Sequence, residues 1–125
     1  MIVLDMADKR PIYEQIIDSI KQQIALGILG TNEKLPSVRQ LAIEMSINPN
    51  TIQKAYTELE RTGYIYSVKG KGNFAADISN ILPARQAQFY SHLDEVLSHS
   101  DNVSLGCDDI IEHVRMYYNS KEDKL

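Results

Sequence analysis

A short segment of the chain combines amide, hydroxyl and ammonium groups in a pattern that suits the recognition of nucleic acid. Asparagine and glutamine amides present a donor and an acceptor side by side, so they can pair with the edge of an adenine. A threonine hydroxyl can bond a phosphate, and a lysine can neutralise one. The segment comprises Asn48, Pro49, Asn50, Thr51, Ile52, Gln53 and Lys54. This composition predicts a surface that reads base edges.

Two further groups of side chains could bind phosphates beside such a surface. Ser37 and Arg39 precede the segment, and a guanidinium can bind a phosphate bidentately or reach a guanine. The second group follows the segment and consists of Lys69, Gly70, Lys71 and Gly72. Its glycines let the backbone approach a minor groove or a phosphate closely, while its lysines supply charge.

Each of these groups also has a purely structural interpretation. Asn48 can be a helix cap, or a cap and a reader together. Gln53 and Lys54 can form an ordinary solvated helix face, and the lysine–glycine run can be a hairpin turn with solubilising charges. The nucleic-acid interpretation is favoured because all of the groups fall on consecutive elements that one ligand could reach.

The distribution of charge supports the same interpretation, although the average does not. The net charge of −4 alone argues against a polyanionic partner. Residues 34–73, however, carry a net charge of +3, whereas the chain from residue 78 onward carries −4. A polyanion responds to the local charge, so the window that contains the polar segments is the one that would bind it.

The residues around these segments predict a helix, a turn, a second helix and a hairpin. Ser37 is a favourable N-cap for a short helix, and Asn48 and Pro49 suit the N-cap and the first position of the next one. The alternating runs 64–68 and 73–76 predict two strands joined by the lysine–glycine turn. This is the order of a winged helix-turn-helix, in which the second helix enters the major groove of DNA.

An amphipathic helix before these elements predicts the core on which they pack. Pro11 suits its first turn, where a backbone N–H has no acceptor within the helix, and Gly27 suits its end. Isoleucines recur every four residues on one face, at Ile12, Ile16, Ile20 and Ile24.

The C-terminal part predicts two more helices with an uncovered apolar face. Pro83 opens the first, and Asp108 or Asp109 opens the second after the polar connection 98–106. Their apolar residues are Phe89, Leu93, Val96, Leu97, Ile110, Ile111, Val114 and Tyr117. We expect the same segment of a second subunit to cover this face in a two-fold symmetric contact. The alternative is that the helices fold back onto the winged helix of their own chain.

Over residues 9–76 the sequence resembles the DNA-binding domain of GntR-type bacterial transcription regulators. The resemblance is carried by Pro11, Ile12, Tyr13, Gln15, Ile16, Gly27, Gly30, Leu35, Pro36, Ser37, Arg39, Leu41, Ala42, Asn48, Thr51, Ala55, Tyr56, Leu59, Gly63, Gly70, Lys71 and Gly72. It implies a homodimer on an inverted-repeat operator in double-stranded DNA, and usually repression. It further implies DNA contacts from Arg39, from the start of the second helix and from the wing tip. Some relatives have arginine at the positions of Pro49 or Gln53, so base contacts there do not transfer.

The resemblance also predicts the fold class and the domain organisation. We expect a mainly α fold with a small β-hairpin: a winged helix-turn-helix in residues 1–77, then a two-helix dimerisation appendage in residues 78–125. Such a short appendage looks like that of the YtrA-like subfamily, whose members often regulate transporter operons. An aminotransferase-like domain with pyridoxal phosphate does not fit this length, so we expect no cofactor.

A small-molecule effector is an open alternative. A cleft beside the appendage or at the dimer interface could hold one. The aromatic and basic side chains that could line it are Tyr90, Arg115, Tyr117 and Tyr118, and each has a structural role as its simpler interpretation.

Two other functions compete less well with DNA binding. A winged helix that has lost DNA binding could be a protein-interaction module. The acidic average favours this weakly, and the lysine–glycine run 69–72 and Arg39 oppose it. An enzyme would need a site, but His92, His99, His113 and Cys107 lack the spacing of a metal-ligand or nucleophile motif. We therefore expect no catalytic and no metal-binding residues.

The sequence also predicts the compartment. Cys107 is the only cysteine, which excludes an intramolecular disulfide and fits a reducing cytoplasm. No window approaches the roughly 18 apolar residues of a membrane span, so we expect a cytoplasmic protein without a membrane partner.

Overall fold

The computed structural model describes residues 7–122. Its helices are α1 (Ile12–Ala25), α2 (Val38–Met45), α3 (Pro49–Arg61), α4 (Leu82–Leu97) and α5 (Cys107–Glu122). Its strands are β1 (Ile65–Val68) and β2 (Gly72–Ala75), and short 3-10 helices lie at Ile78–Asn80 and Ser100–Val103. The predicted fold class, mainly α with a small β-hairpin, is confirmed.

Helix α1 packs its isoleucine face against the core, as the four-residue spacing predicted. The buried isoleucines of this helix are Ile16, Ile17, Ile20 and Ile24. The prediction was wrong for Ile12, which is 40% exposed, because it is the first helical residue and lies at the edge of the core. Pro11 is the N-cap rather than a helical residue. Gly27 ends the segment in the left-handed region, at φ +75°, as its predicted role requires.

Helices α2 and α3 form the predicted helix-turn-helix. The left-handed Ser46, at φ +54°, ends α2 and redirects the chain toward Asn48 and α3. Helix α3 buries one face against α1 and α2, and the residues of that face are Ile52, Ala55, Tyr56 and Leu59. The spacing i, i+3, i+4, i+7 therefore identified the buried side of α3 correctly.

The hairpin gains support from a segment that the sequence did not mark as a strand. Strands β1 and β2 are antiparallel, with Val68 paired to Gly72 at the tip. Gly72 therefore belongs to β2, and the loop is shorter than predicted. Lys34 forms a bridge with Phe74, and the N–H of Leu35 donates to the carbonyl of Asn73 at 2.9 Å. Residues 33–35 thus cover the outer edge of β2, which stabilises a hairpin that would be marginal alone.

The division between the two parts of the chain falls between Leu82 and Pro83, whereas we expected it after Asp77. Ile78 is 7% exposed and belongs to the core of the first part, and Ile81 and Leu82 pack against that core. The 3-10 helix therefore extends the winged helix-turn-helix, because its apolar residues are buried there.

The second part consists of α4, α5 and the connection between them. None of the described residues of α4 or α5 is buried. Helix α5 begins at Cys107, slightly earlier than predicted, and the carboxylate of Asp109 accepts the N–H of Gly106 at 2.9 Å. The polar connection contains the second 3-10 helix. Within residues 7–122, no helix combines the length and apolar character that crossing a bilayer requires.

Candidate nucleic-acid interface

The N-terminal end of α2 presents Arg39 on a fixed helical turn. The Ser37 hydroxyl accepts the N–H of Gln40 at 3.0 Å, and the Gln40 side chain accepts the N–H of Ser37 at 3.0 Å. This reciprocal pair is a capping box, so the predicted N-cap is confirmed. The Ser37 hydroxyl retains its own hydrogen, which can still donate to a phosphate. Arg39 is the second residue of α2 and is exposed.

The N-terminal end of α3 is capped by Asn48, with Pro49 in the first helical position. The Asn48 Oδ1 atom accepts the N–H of Asn50 at 2.8 Å. This uses the acceptor of the Asn48 amide and leaves its two N–H donors available. Asn50 is exposed and Thr51 is half-buried at the same end. The cap therefore serves the helix without removing Asn48 from the surface, and the helix N-terminus adds a partial positive charge.

Gln53 and Lys54 are exposed one turn further along α3, but both side chains already have partners. The Gln53 amide nitrogen donates to the Thr57 hydroxyl at 3.2 Å. The Lys54 ammonium lies 3.9 Å from the ring centroid of Tyr13 in α1, a cation–π contact. The contact directs Lys54 toward α1, so this charge lies beside the helix rather than at its tip.

The hairpin tip holds Lys69 and Lys71 on a loop whose glycines adopt conformations that other residues avoid. Gly70 has φ +78° and Gly72 has φ +117°. A Cβ added to Gly72 would lie 3.1 Å from Cε of Lys34. The side chain of Lys34 therefore crosses the wing at Gly72, which adds a third lysine to the wing. The sequence prediction missed Lys34, because its proximity follows from the bridge to Phe74 and not from local spacing.

The cations of this surface have no carboxylate partner in the part of the chain that the structure describes. The ion pairs found there join Arg10 to two aspartates and Arg61 to Glu58. None of them uses the cations at the start of α2 or on the wing, which are Lys34, Arg39, Lys69 and Lys71. Of the other two cations in residues 34–73, Arg61 is paired with Glu58 and Lys54 lies over the ring of Tyr13. The start of α2 and the wing therefore present four cations that are unpaired among the described residues.

A buried tyrosine connects these elements to each other. The Tyr56 hydroxyl donates to the carbonyl of Pro36 at 2.7 Å. Burial, and to a lesser extent the carboxylate of Glu44, raises the pKa of Tyr56, so its hydroxyl remains a donor at ordinary pH. Sequence reasoning placed this residue in the core and missed the hydrogen bond.

The second part of the chain has an apolar groove between α4, α5 and their connection. It brings together His99 and His113, with Leu93, Val96 and Ile110 among the lining residues. His92 and Cys107 are not among those that line it. The residues proposed for an effector cleft are exposed and do not line this groove either. Among residues 7–122, no three histidine, cysteine, aspartate or glutamate side chains are grouped to hold a metal ion.

The family of the chain follows from residues 12–74. This stretch matches the family described as bacterial regulatory proteins, gntR family, and it covers the helix-turn-helix and the wing. The chain belongs to the GntR family. The resemblance on which the predicted fold depended is therefore confirmed.

One curated GntR relative is similar over the winged helix. The chain is 47% identical to the HTH-type transcriptional repressor YtrA of Bacillus subtilis over 77 residues, which is 62% of this chain and 59% of YtrA. The match thus spans less than two thirds of that relative. It is consistent with the predicted YtrA-like subfamily, and the name describes a regulator rather than an enzyme.

Two solved structures extend the comparison to the whole chain and to DNA. A transcriptional antiterminator from Listeria monocytogenes EGD-e is 36% identical, with a TM-score of 0.77 over 94% of this chain and 90% of that one. The DNA-binding domain of AraR, solved in complex with operator ORR3, is 31% identical, with a TM-score of 0.52 over 59% of this chain and 89% of that one. A DNA-binding domain similar to part of this chain is therefore known in complex with operator DNA.

Proposed function

We propose that this GntR protein is a sequence-specific DNA-binding transcriptional regulator that acts as a homodimeric repressor on an inverted-repeat operator in the cytoplasm. The observation that carries the proposal is the set of four cations without carboxylate partners, at the start of α2 and on the wing, together with the exposed N-terminus of α3. The similarity to the AraR domain solved in complex with operator DNA supports DNA binding.

The two kinds of contact are assigned to different elements. The N-terminal end of α3 enters the major groove, where Asn48, Asn50 and Gln53 offer amide donors and acceptors to base edges. Arg39 binds a phosphate beside the groove, and the wing lysines bind phosphates or the minor groove. Phosphate contacts set the register, and base contacts set the preference.

The homodimer is proposed because the second part of the chain exposes its apolar side chains. Phe89 and Val96 are each 68% exposed, and the groove that Val96 lines is mostly apolar. Exposed apolar surface on this scale favours a partner, and a second copy of the same segment would bury it symmetrically. Two winged helices held in this way would meet half-sites about one helical turn, roughly 10 base pairs, apart or a multiple of that.

The test is selection of bound fragments from random double-stranded DNA by the full chain. We expect enrichment of an inverted repeat, with half-sites spaced as a two-fold dimer requires. We also expect two protein chains to bind each DNA fragment. Arg39→Ala should weaken binding to every selected sequence, whereas Gln53→Ala should change the sequence preference more than the affinity. Absence of any enriched sequence at low salt would reject the proposal and favour a protein-interaction module.

A further inference from the structure

The connection formed by residues 35–37, called the turn below, contacts all three elements of the candidate interface. The N–H of Leu35 donates to the carbonyl of Asn73 in the wing at 2.9 Å. One residue later, the carbonyl of Pro36 accepts the hydroxyl of Tyr56 from α3 at 2.7 Å. The next residue, Ser37, is the N-cap of α2. The turn therefore connects the wing, α3 and the start of α2.

The hydroxyl of Tyr56 is not needed to fill the core. The side chain is 2% exposed and is part of the buried face of α3. A phenylalanine has the same ring and would occupy the same space. What the hydroxyl adds is a bond to a carbonyl twenty residues away in sequence, immediately before the N-cap of α2. Its effect therefore falls on the position of α2 relative to α3.

We propose that Tyr56 is a positioning residue for Arg39. Its hydroxyl holds the turn at Pro36 against α3, so that the guanidinium meets a phosphate while α3 occupies the major groove. The inference rests on the proposed function, because it assigns a cause to the docking geometry of Arg39. Pro36 is exposed, so water can bond its carbonyl when the hydroxyl is absent, and the turn loosens without unfolding the protein.

The experiment is a double-mutant cycle with Tyr56→Phe and Arg39→Ala in the full chain. Dissociation constants are measured by fluorescence anisotropy on a fragment obtained by selection. We expect Arg39→Ala to weaken binding by about 10-fold or more, as for loss of one phosphate contact per subunit, and Tyr56→Phe by about 3- to 10-fold. In the Arg39→Ala background, Tyr56→Phe should change the affinity by less than about 2-fold, because the group it positions is gone. Fully additive effects would overturn the inference.

A control variant separates this effect from the loss of a tyrosine hydroxyl elsewhere in the same part of the chain. Tyr64 is also buried, and its ring lies under the ammonium of Lys21 in α1 rather than at the turn. Tyr64→Phe should leave the dissociation constant within about 2-fold of wild type and should show no coupling to Arg39→Ala. A weakening by Tyr64→Phe equal to that by Tyr56→Phe would overturn the positioning role.

A second variant keeps the test open if Tyr56→Phe does not fold, which circular dichroism would reveal. Gln40→Ala removes the other half of the capping box and loosens the same turn from the α2 side. If Arg39 depends on a fixed turn, Gln40→Ala should also couple to Arg39→Ala; additive effects would overturn the inference. A failure of the proposed function would look different, since Arg39→Ala itself would then leave the affinity unchanged.

Discussion

The salt dependence of operator binding tests the candidate interface most directly, because its size follows from the charges on the surface. Each subunit presents four cations there without a carboxylate partner. If each cation neutralises one phosphate, a dimer displaces the counterions of about eight phosphates. The logarithm of the association constant then falls with the logarithm of the salt concentration at a slope of about −7. Between about 50 and 200 mM salt, the affinity of the wild type should fall by roughly 10⁴-fold.

The perturbation is the double variant Lys69→Ala, Lys71→Ala, which removes two of the four cations from each subunit. The expected slope is about −3.6, and the affinity should fall by only about 10²-fold over the same salt range. Both lysines are exposed, so the free energy of unfolding should change by less than about 0.5 kcal/mol. Fluorescence anisotropy at five or more salt concentrations gives both slopes.

The matched control is Lys121→Ala, which removes an exposed lysine from the end of α5, outside the interface. Its slope should equal that of the wild type. The reasoning would be refuted if the wing variant kept the wild-type slope, because the wing lysines would then not contact phosphates. It would be refuted equally if the control reduced the slope as much as the wing variant did.

Further substitutions test three separate parts of the structure: the cap of α3, the wing and the proposed dimer contact. Asn48→Ser should keep the cap and the unfolding free energy but lose operator affinity, whereas Asn48→Ala should also lose about 1 kcal/mol of stability in denaturant titrations; equal affinities would make Asn48 a cap only. Gly72→Ala should cost on the order of 1–2 kcal/mol for its left-handed backbone and should also displace Lys34 and lower the salt slope. Gly70→Ala, with the same kind of strain but open space, should leave the slope unchanged. Phe89→Asp should yield monomers in sedimentation at micromolar concentration; a persistent dimer would contradict the proposed contact.

The elements that could be predicted from the sequence are those whose signals are local. Ser37 and Asn48 cap helices because their side chains reach backbone N–H groups two or three residues away. Gly27 adopts a positive φ just after α1, and the apolar spacing of α3 faces the core, as the helical period requires. Each of these features needs only a few neighbouring residues, so the pattern contained the information.

The features that could not be predicted depend on contacts across the fold. Lys34 lies against Gly72 because residues 33–35 pair with β2, and nothing near Lys34 in the sequence indicates a strand. The bond between Tyr56 and Pro36 depends on how α3 packs over the turn. The partners of Gln53 and Lys54 likewise follow from side-chain geometry, since the same residues could equally have extended into solvent.

Helix α3 has an exposed face and a buried face, so its exposed residues can change while the fold is kept. Its outer residues, such as Asn50 and Gln53, are exposed, so they can be exchanged with little effect on stability. Its inner residues, such as Ile52 and Leu59, are fully buried and fix the helix on α1 and α2. Tyr56 belongs to the inner face, yet its hydroxyl donates to the carbonyl of Pro36, just before the N-cap of α2. In the proposed function, docking geometry would therefore depend on a core position, whereas the reading of bases would depend on the surface.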